Sequence, residues 1–158
     1  MMKAAGIIAV AVTMAGAGAL AAPEGTILQV TGQITGGTAT LDRATIEALP
    51  AVSLVTSTVV TDGPRQFTGV LMRDLLADLG ATGDTVTAVA LNDYAVDIPM
   101  SEFHDFDVIV AYSMDGVPLT RRGKGPLWIV YPRDDHRVLQ DIRYDYRWVW
   151  QLYQLDVK

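Results

Sequence analysis

The chain has 158 residues, half of them hydrophobic and 19% charged, with no cysteine and a formal net charge of −6. That length fits one domain of ~100–200 residues, and the apolar share excludes intrinsic disorder. Without cysteine there is no disulfide, thiolate metal site, Fe–S cluster or cysteine nucleophile. The acidic balance argues against nucleic acid as a partner, because counterion release needs clustered positive charge.

Met1-Met2-Lys3 is a short positive start, followed by an uncharged run rich in Ala and Gly from Ala4 to Leu20. Ala19-Leu20-Ala21 has the small-x-small form of a signal-peptidase site. The sequence therefore predicts a signal peptide over 1–21, cleaved after Ala21, and a single periplasmic domain over 22–158. A retained anchor would need ~20 strongly apolar residues, and this run is dominated by small ones. Export places the domain outside the ATP pool, and neither phosphate-cradling glycine motif is present.

Ile27 to Val30 reads as a strand ended by Gly32, and Thr38 to Leu41 as a second after Gly36-Gly37. Asp42 is placed to cap a short helix that Pro50 stops. Val52 to Val60 alternates and reads as a strand. Val70 to Leu79 carries Val70, Leu71, Leu75 and Leu79 at helical spacing and ends at Gly80, so it reads as a helix. Val86–Leu91 and Ala95–Ile98 read as strands around the turn Asn92-Asp93-Tyr94. A short turn at Ser101–His104 then leads to a strand at Val108–Ser113. Asp115-Gly116 is a hairpin turn. Leu127 to Tyr131 suits a strand buried on both faces, and Trp148 to Val157 reads as one long closing strand. The class is α+β: one mixed, sheet-rich domain with few short helices. Residues 121–147 hold seven bases against four acids and residues 22–120 three against thirteen. That asymmetry reads either as one positive surface or as a set of solvated loop residues.

Phe67-Thr68-Gly69-Val70-Leu71-Met72-Arg73-Asp74-Leu75-Leu76 is similar to the "aromatic-x-Gly-Val-x-Leu-x-x-Leu-Leu" segment of the sulfite-oxidase-type molybdopterin-binding domain. Asp93-Tyr94, Ile98-Pro99, Val110-Ala111-Tyr112 and Asp115-Gly116-Val117-Pro118-Leu119 resemble its next block. Gly125-Pro126-Leu127-Trp128-Ile129-Val130-Tyr131-Pro132 and Arg147-Trp148 resemble its endings. The resemblance runs over Thr56 to Val157 and implies that fold.

The departures carry the functional reading. The family's molybdenum-binding cysteine would fall near Thr58, and a threonine hydroxyl is no substitute for a soft thiolate. Gly123 stands for the family's histidine, Trp128 for its arginine and Arg147 for its lysine. Molybdenum redox chemistry is therefore not expected. The ending Arg147-Trp148-Val149-Trp150-Gln151-Leu152 resembles a stand-alone exported branch that includes periplasmic pterin-binding proteins. These report a reduced pterin to a membrane-bound cyclic-di-GMP enzyme, and the resemblance implies a reduced pterin as ligand and such a sensor's periplasmic domain as partner.

A pterin needs an aromatic face, a carboxylate for its guanidine-like edge and a donor for the opposite edge. Asp93 is a candidate for that grip, with Tyr94 beside it, though Asn-Asp is also ordinary turn chemistry. Trp148 and Trp150 share a face if they lie on a strand, either as core or as a stacking platform. Tyr144 and Tyr146 share their parity. Arg121 and Lys124 flank loop glycines and could meet an acceptor edge or stay solvated, and Arg147 holds the family's lysine position. The ligand-binding candidates are thus Asp93, Tyr94, Arg121, Lys124, Tyr146, Arg147, Trp148 and Trp150. Trp128 reads as core. His104 and His136 have no metal-ligand spacing, and no hydrolase elbow is present. Three readings follow: a non-catalytic pterin-binding module, a molybdenum oxidoreductase with a non-thiolate ligand at Thr58, and an interaction domain without a small-molecule ligand.

Overall fold

The computed structural model describes residues 23–158; the predicted signal peptide lies outside them. Strands β1 (Thr26–Gly32) and β2 (Thr38–Asp42) lead into α1 (Arg43–Glu47), then β3 (Val52–Thr56), β4 (Arg65–Leu71) and α2 (Met72–Asp78). A hairpin of β5 (Thr85–Ala90) and β6 (Ala95–Pro99) precedes α3 (Met100–Asp105). β7 (Ile109–Met114), β8 (Val117–Pro118) and β9 (Trp128–Val130) follow, then 3-10 turns at Arg137–Gln140 and Ile142–Arg147, and β10 (Leu152–Val157).

The strands form two five-stranded sheets. One runs β2-β1-β10-β5-β6; the other runs β3-β4-β7-β8 with β9 on β7. Among the described residues, only β1 and β10 pair in parallel; the other ladders are antiparallel. This is the sheet-rich α+β class, with α-helices of five to seven residues. A single core joins the inward faces of both sheets: Leu28 and Val30, Val86 and Ala88, Leu152 and Leu155 from one, Phe67, Ile109–Ala111 and Trp128–Val130 from the other. Burying that apolar surface is the main favourable term in a chain without cross-links.

Local chemistry sets the boundaries. Asp42 caps α1, its side chain accepting from the Thr45 amide at 2.8 Å, which holds its carboxyl below the usual range. Asp115 and Gly116 both take positive φ, 52° and 78°, in the turn joining β7 to β8. At Gly69, a Cβ would stand 2.0 Å from the Val110 carbonyl oxygen. Only glycine lets β4 lie that close on β7.

Four segments differ from the sequence-based expectation. The strand from Val52 stops at Thr56, because the Thr58 amide donates to Thr61 Oγ1 and the Val60 amide to Thr58 Oγ1, both at 3.1 Å. Such side-chain bonds compete with a ladder. Val70 and Leu71 belong to β4, paired with Val110 and Ile109, and the helix begins at Met72. Residues 101–104 lie within α3 rather than in a turn. Trp148 to Val157 is not one strand: it leaves a 3-10 turn at Arg147, and Gln151 at φ 51° kinks the chain before β10.

Candidate functional site

The kinked segment Trp148–Gln151 carries the chain from one sheet to the other. The Ile129 amide bonds to Val149 O at 2.9 Å and Trp128 bridges Trp150 on the β9 side. On the other side the Leu91 amide bonds to Gln151 O at 2.9 Å. Beside this crossing lies a cleft of about 310 Å³, lined by Ala90, Asn92 and Tyr94 from the β5–β6 turn and by Asp145, Tyr146, Trp148, Val149 and Trp150. That volume is at the small end of the ~300–1,000 Å³ typical of ligand pockets.

Four aromatic residues dominate the lining, each held differently. Trp148 is 3% exposed and its ring lies 6.0 Å from that of buried Tyr131, tilted by 38°. Trp150 is 38% exposed, packs edge-on against buried Trp128 at 6.5 Å, and carries the Lys124 ammonium 4.7 Å from its ring centroid. That is within range of a cation–π contact. The Tyr94 hydroxyl donates to the Tyr146 carbonyl at 2.7 Å and so ties the two walls together. Burial raises the Tyr94 pKa.

A buried polar network stands behind the second wall. Arg147 forms an ion pair with Glu102, and the Tyr131 hydroxyl donates to the other Glu102 oxygen at 2.8 Å. The Arg147 guanidinium also lies 4.9 Å from the Tyr144 ring centroid and 5.8 Å from that of Tyr146. Burial lowers the Arg147 pKa, although a guanidinium stays charged near neutral pH. Burial likewise drives the Tyr131 pKa far upward.

Two polar atoms of the lining stand out. Trp148 Nε1 and Asp145 Oδ1 are buried and have no hydrogen-bond partner among the described residues. Buried polar groups are almost always paired, and Arg147 Nε in the same segment is likewise buried without a partner among the described residues.

Of the sequence-derived candidates, Tyr94, Tyr146, Trp148 and Trp150 come together in the cleft lining. Lys124 reaches it through Trp150, and Arg147 supports it from behind. Asp93 is exposed at the turn, with φ 65° and its amide bonded to Ala90 O at 2.9 Å, and is not in the lining. Arg121 is exposed; its carbonyl accepts from the Gln151 side chain at 2.8 Å. The sequence reading missed Asp145, Asn92 and Glu102. Asp145 lies within the aromatic and cationic stretch Tyr144–Trp148, which was the available clue.

Thr58 is 6% exposed, and its hydroxyl bonds to Thr61 Oγ1 at 3.0 Å and accepts from the Val60 amide. Beside it, Ser57 and Thr56 are tied to Asp134. Where the resemblance would put the family's cysteine, the donors are thus hydroxyls bonded to one another and to Asp134. They do not match the soft anionic sulfur that a high-valent molybdenum centre takes.

The family model described as the oxidoreductase molybdopterin binding domain matches residues 28–134, more than half of the chain. The chain belongs to this family. The matched span of this molybdopterin-binding-type domain includes Thr58 and the Tyr94 wall but ends before Asp145–Trp150. Among solved structures, the sulfane dehydrogenase SoxCD from Paracoccus pantotrophus superposes with a TM-score of 0.63 at 17% identity. That match covers 82% of this chain and 37% of the SoxCD chain, so it establishes the fold alone. No curated protein matches the sequence.

Proposed function

We propose that this domain is an exported, non-catalytic pterin-binding protein that holds a reduced pterin in the cleft between the β5–β6 turn and Asp145–Trp150. The observation that carries the reading is the meeting of four aromatic side chains, Tyr94, Tyr146, Trp148 and Trp150, in the lining of one cleft. A flat heterocycle is the ligand such a lining suits, and stacking on Trp150 and Tyr94 would contribute about 1–3 kcal/mol per ring contact. The bound pterin supplies an electron-rich fused ring; the chain's own residues bind it, orient it and exclude water from its edge.

The family and the fold are also those of oxidoreductases, so the competing reading is a molybdenum enzyme with a non-thiolate ligand. The hydroxyls around Thr58, already committed to one another, speak against it. As output, the resemblance of Arg147–Leu152 to the exported branch supports docking on the periplasmic domain of a membrane-bound cyclic-di-GMP enzyme. Such a signal requires that the sensor bind free and loaded forms with different affinity. Titration with a tetrahydropterin under argon, followed by tryptophan fluorescence, tests the core of the reading. Saturable quenching with one site per chain is expected; an unchanged spectrum at millimolar ligand defeats it.

A further inference from the structure

We propose that the Tyr94 hydroxyl is the latch of a strap across the mouth of the cleft, and that ligand enters and leaves when this latch opens. The strap is the tip of the β5–β6 hairpin. Its gating role rests on the pterin-binding reading; the latch itself does not.

Exposure sets the floor of the cleft apart from its rim. Ala90, Trp148 and Val149 are buried and form the floor. Tyr94 and Tyr146 are 42% and 50% exposed and stand at the rim. They belong to different elements, 52 residues apart, and one bond joins them, from the Tyr94 hydroxyl to the Tyr146 carbonyl at 2.7 Å. That bond fixes the spacing of the two rims, and so the width of the opening above the floor.

The rest of the tip is bonded to itself. The Ala90 amide donates to Tyr94 O at 2.8 Å, the Asp93 amide to Ala90 O at 2.9 Å and the Tyr94 amide to Asn92 Oδ1 at 3.2 Å. At its base the Leu91 amide donates to Gln151 O at 2.9 Å. Among the described residues, the tip 92–94 reaches another element by hydrogen bonding through the Tyr94 hydroxyl alone. A self-contained turn thus hinges at Leu91 and latches at Tyr94. A hydrogen bond between two neutral groups contributes only about 2–10-fold to the closed form. Ligand therefore works on an equilibrium that the free protein already has.

Tyr94→Phe keeps the ring and removes the latch, and two measurements compare it with the wild type. The first needs no ligand: by NMR, hydrogen exchange at the Leu91 and Asp93 amides should quicken by about 2–10-fold in the variant, with the β1 and β10 amides unaffected. The second mixes tetrahydro-6,7-dimethylpterin with the protein under argon in a stopped-flow instrument and follows tryptophan fluorescence. Association and dissociation rates should both rise by about 2–10-fold, because opening precedes both steps. Unchanged exchange in the variant overturns the latch. Faster exchange with unchanged rates, or with dissociation alone raised, overturns the gating role while the pterin-binding reading stands. Faster exchange with no pterin-dependent signal in either protein keeps the latch and overturns the pterin-binding reading, and the gating role with it.

Discussion

Replacing Glu102 by alanine should strongly destabilise the network behind the wall of the cleft. Its side chain is 11% exposed and that of Arg147 17%, and the Tyr131 hydroxyl bonds to the same carboxylate. Removing one member of a buried ion pair costs about 3–5 kcal/mol, because the remaining charge is left without a partner. The residual exposure places this pair at the low end, about 3 kcal/mol. The orphaned Tyr131 hydroxyl adds about 1 kcal/mol. The sum of about 4 kcal/mol is a large share of the ~5–15 kcal/mol of a typical fold. Tyr131→Phe should cost about 1 kcal/mol. The double change Glu102→Leu/Arg147→Met should cost less than Glu102→Ala alone, since no charge is then stranded. Urea unfolding followed by tryptophan fluorescence measures all of these. A Glu102→Ala penalty below about 1 kcal/mol, or a double variant whose loss equals the sum of its singles, refutes the reasoning.

Trp150→Ala should weaken tetrahydropterin binding by about 1–3 kcal/mol with a small change in melting temperature, as calorimetry and thermal unfolding would show, because Trp150 is partly exposed. Trp148→Ala, by contrast, should lower stability by about 3–5 kcal/mol as well as binding, since Trp148 is buried. Burial raises the pKa of Tyr94 and Tyr131 above the ordinary phenol value. Above about pH 10 the unfolded chain therefore binds fewer protons than the native one, and stability falls as pH rises. Urea midpoints at increasing alkaline pH should decline less steeply in Tyr131→Phe than in the wild type. Elemental analysis of protein expressed with molybdate should find no stoichiometric molybdenum.

Much of the scaffold was legible because a half-buried strand has a period of two and its turns carry Asp, Asn and Gly. Asp42, Asp115 and Gly116 stand at boundaries for reasons written in their side chains. Val70 and Leu71 misled because an apolar run buried on both faces is compatible with strand or helix. The segment from Tyr144 to Trp150 misled differently. Its even spacing suggests one face of a strand, yet the backbone is a 3-10 turn and then an irregular crossing bent at Gln151. No glycine or proline announces that bend; Gln151 holds it by bonding its side chain to the carbonyls of Arg121 and Gly123. The carboxylate in the cleft could not be chosen from sequence for the same reason. Asp93 looked suitable beside Tyr94, but it is exposed at φ 65° and outside the lining, while Asp145 reaches the lining through the 3-10 turn that precedes Trp148.

Native mass spectrometry of the protein isolated from the periplasm tests the central claim most directly. One reduced pterin per chain, released intact and without molybdenum, is the expected observation. A bare chain that takes up no added tetrahydropterin, or one carrying a molybdenum-loaded cofactor, contradicts it.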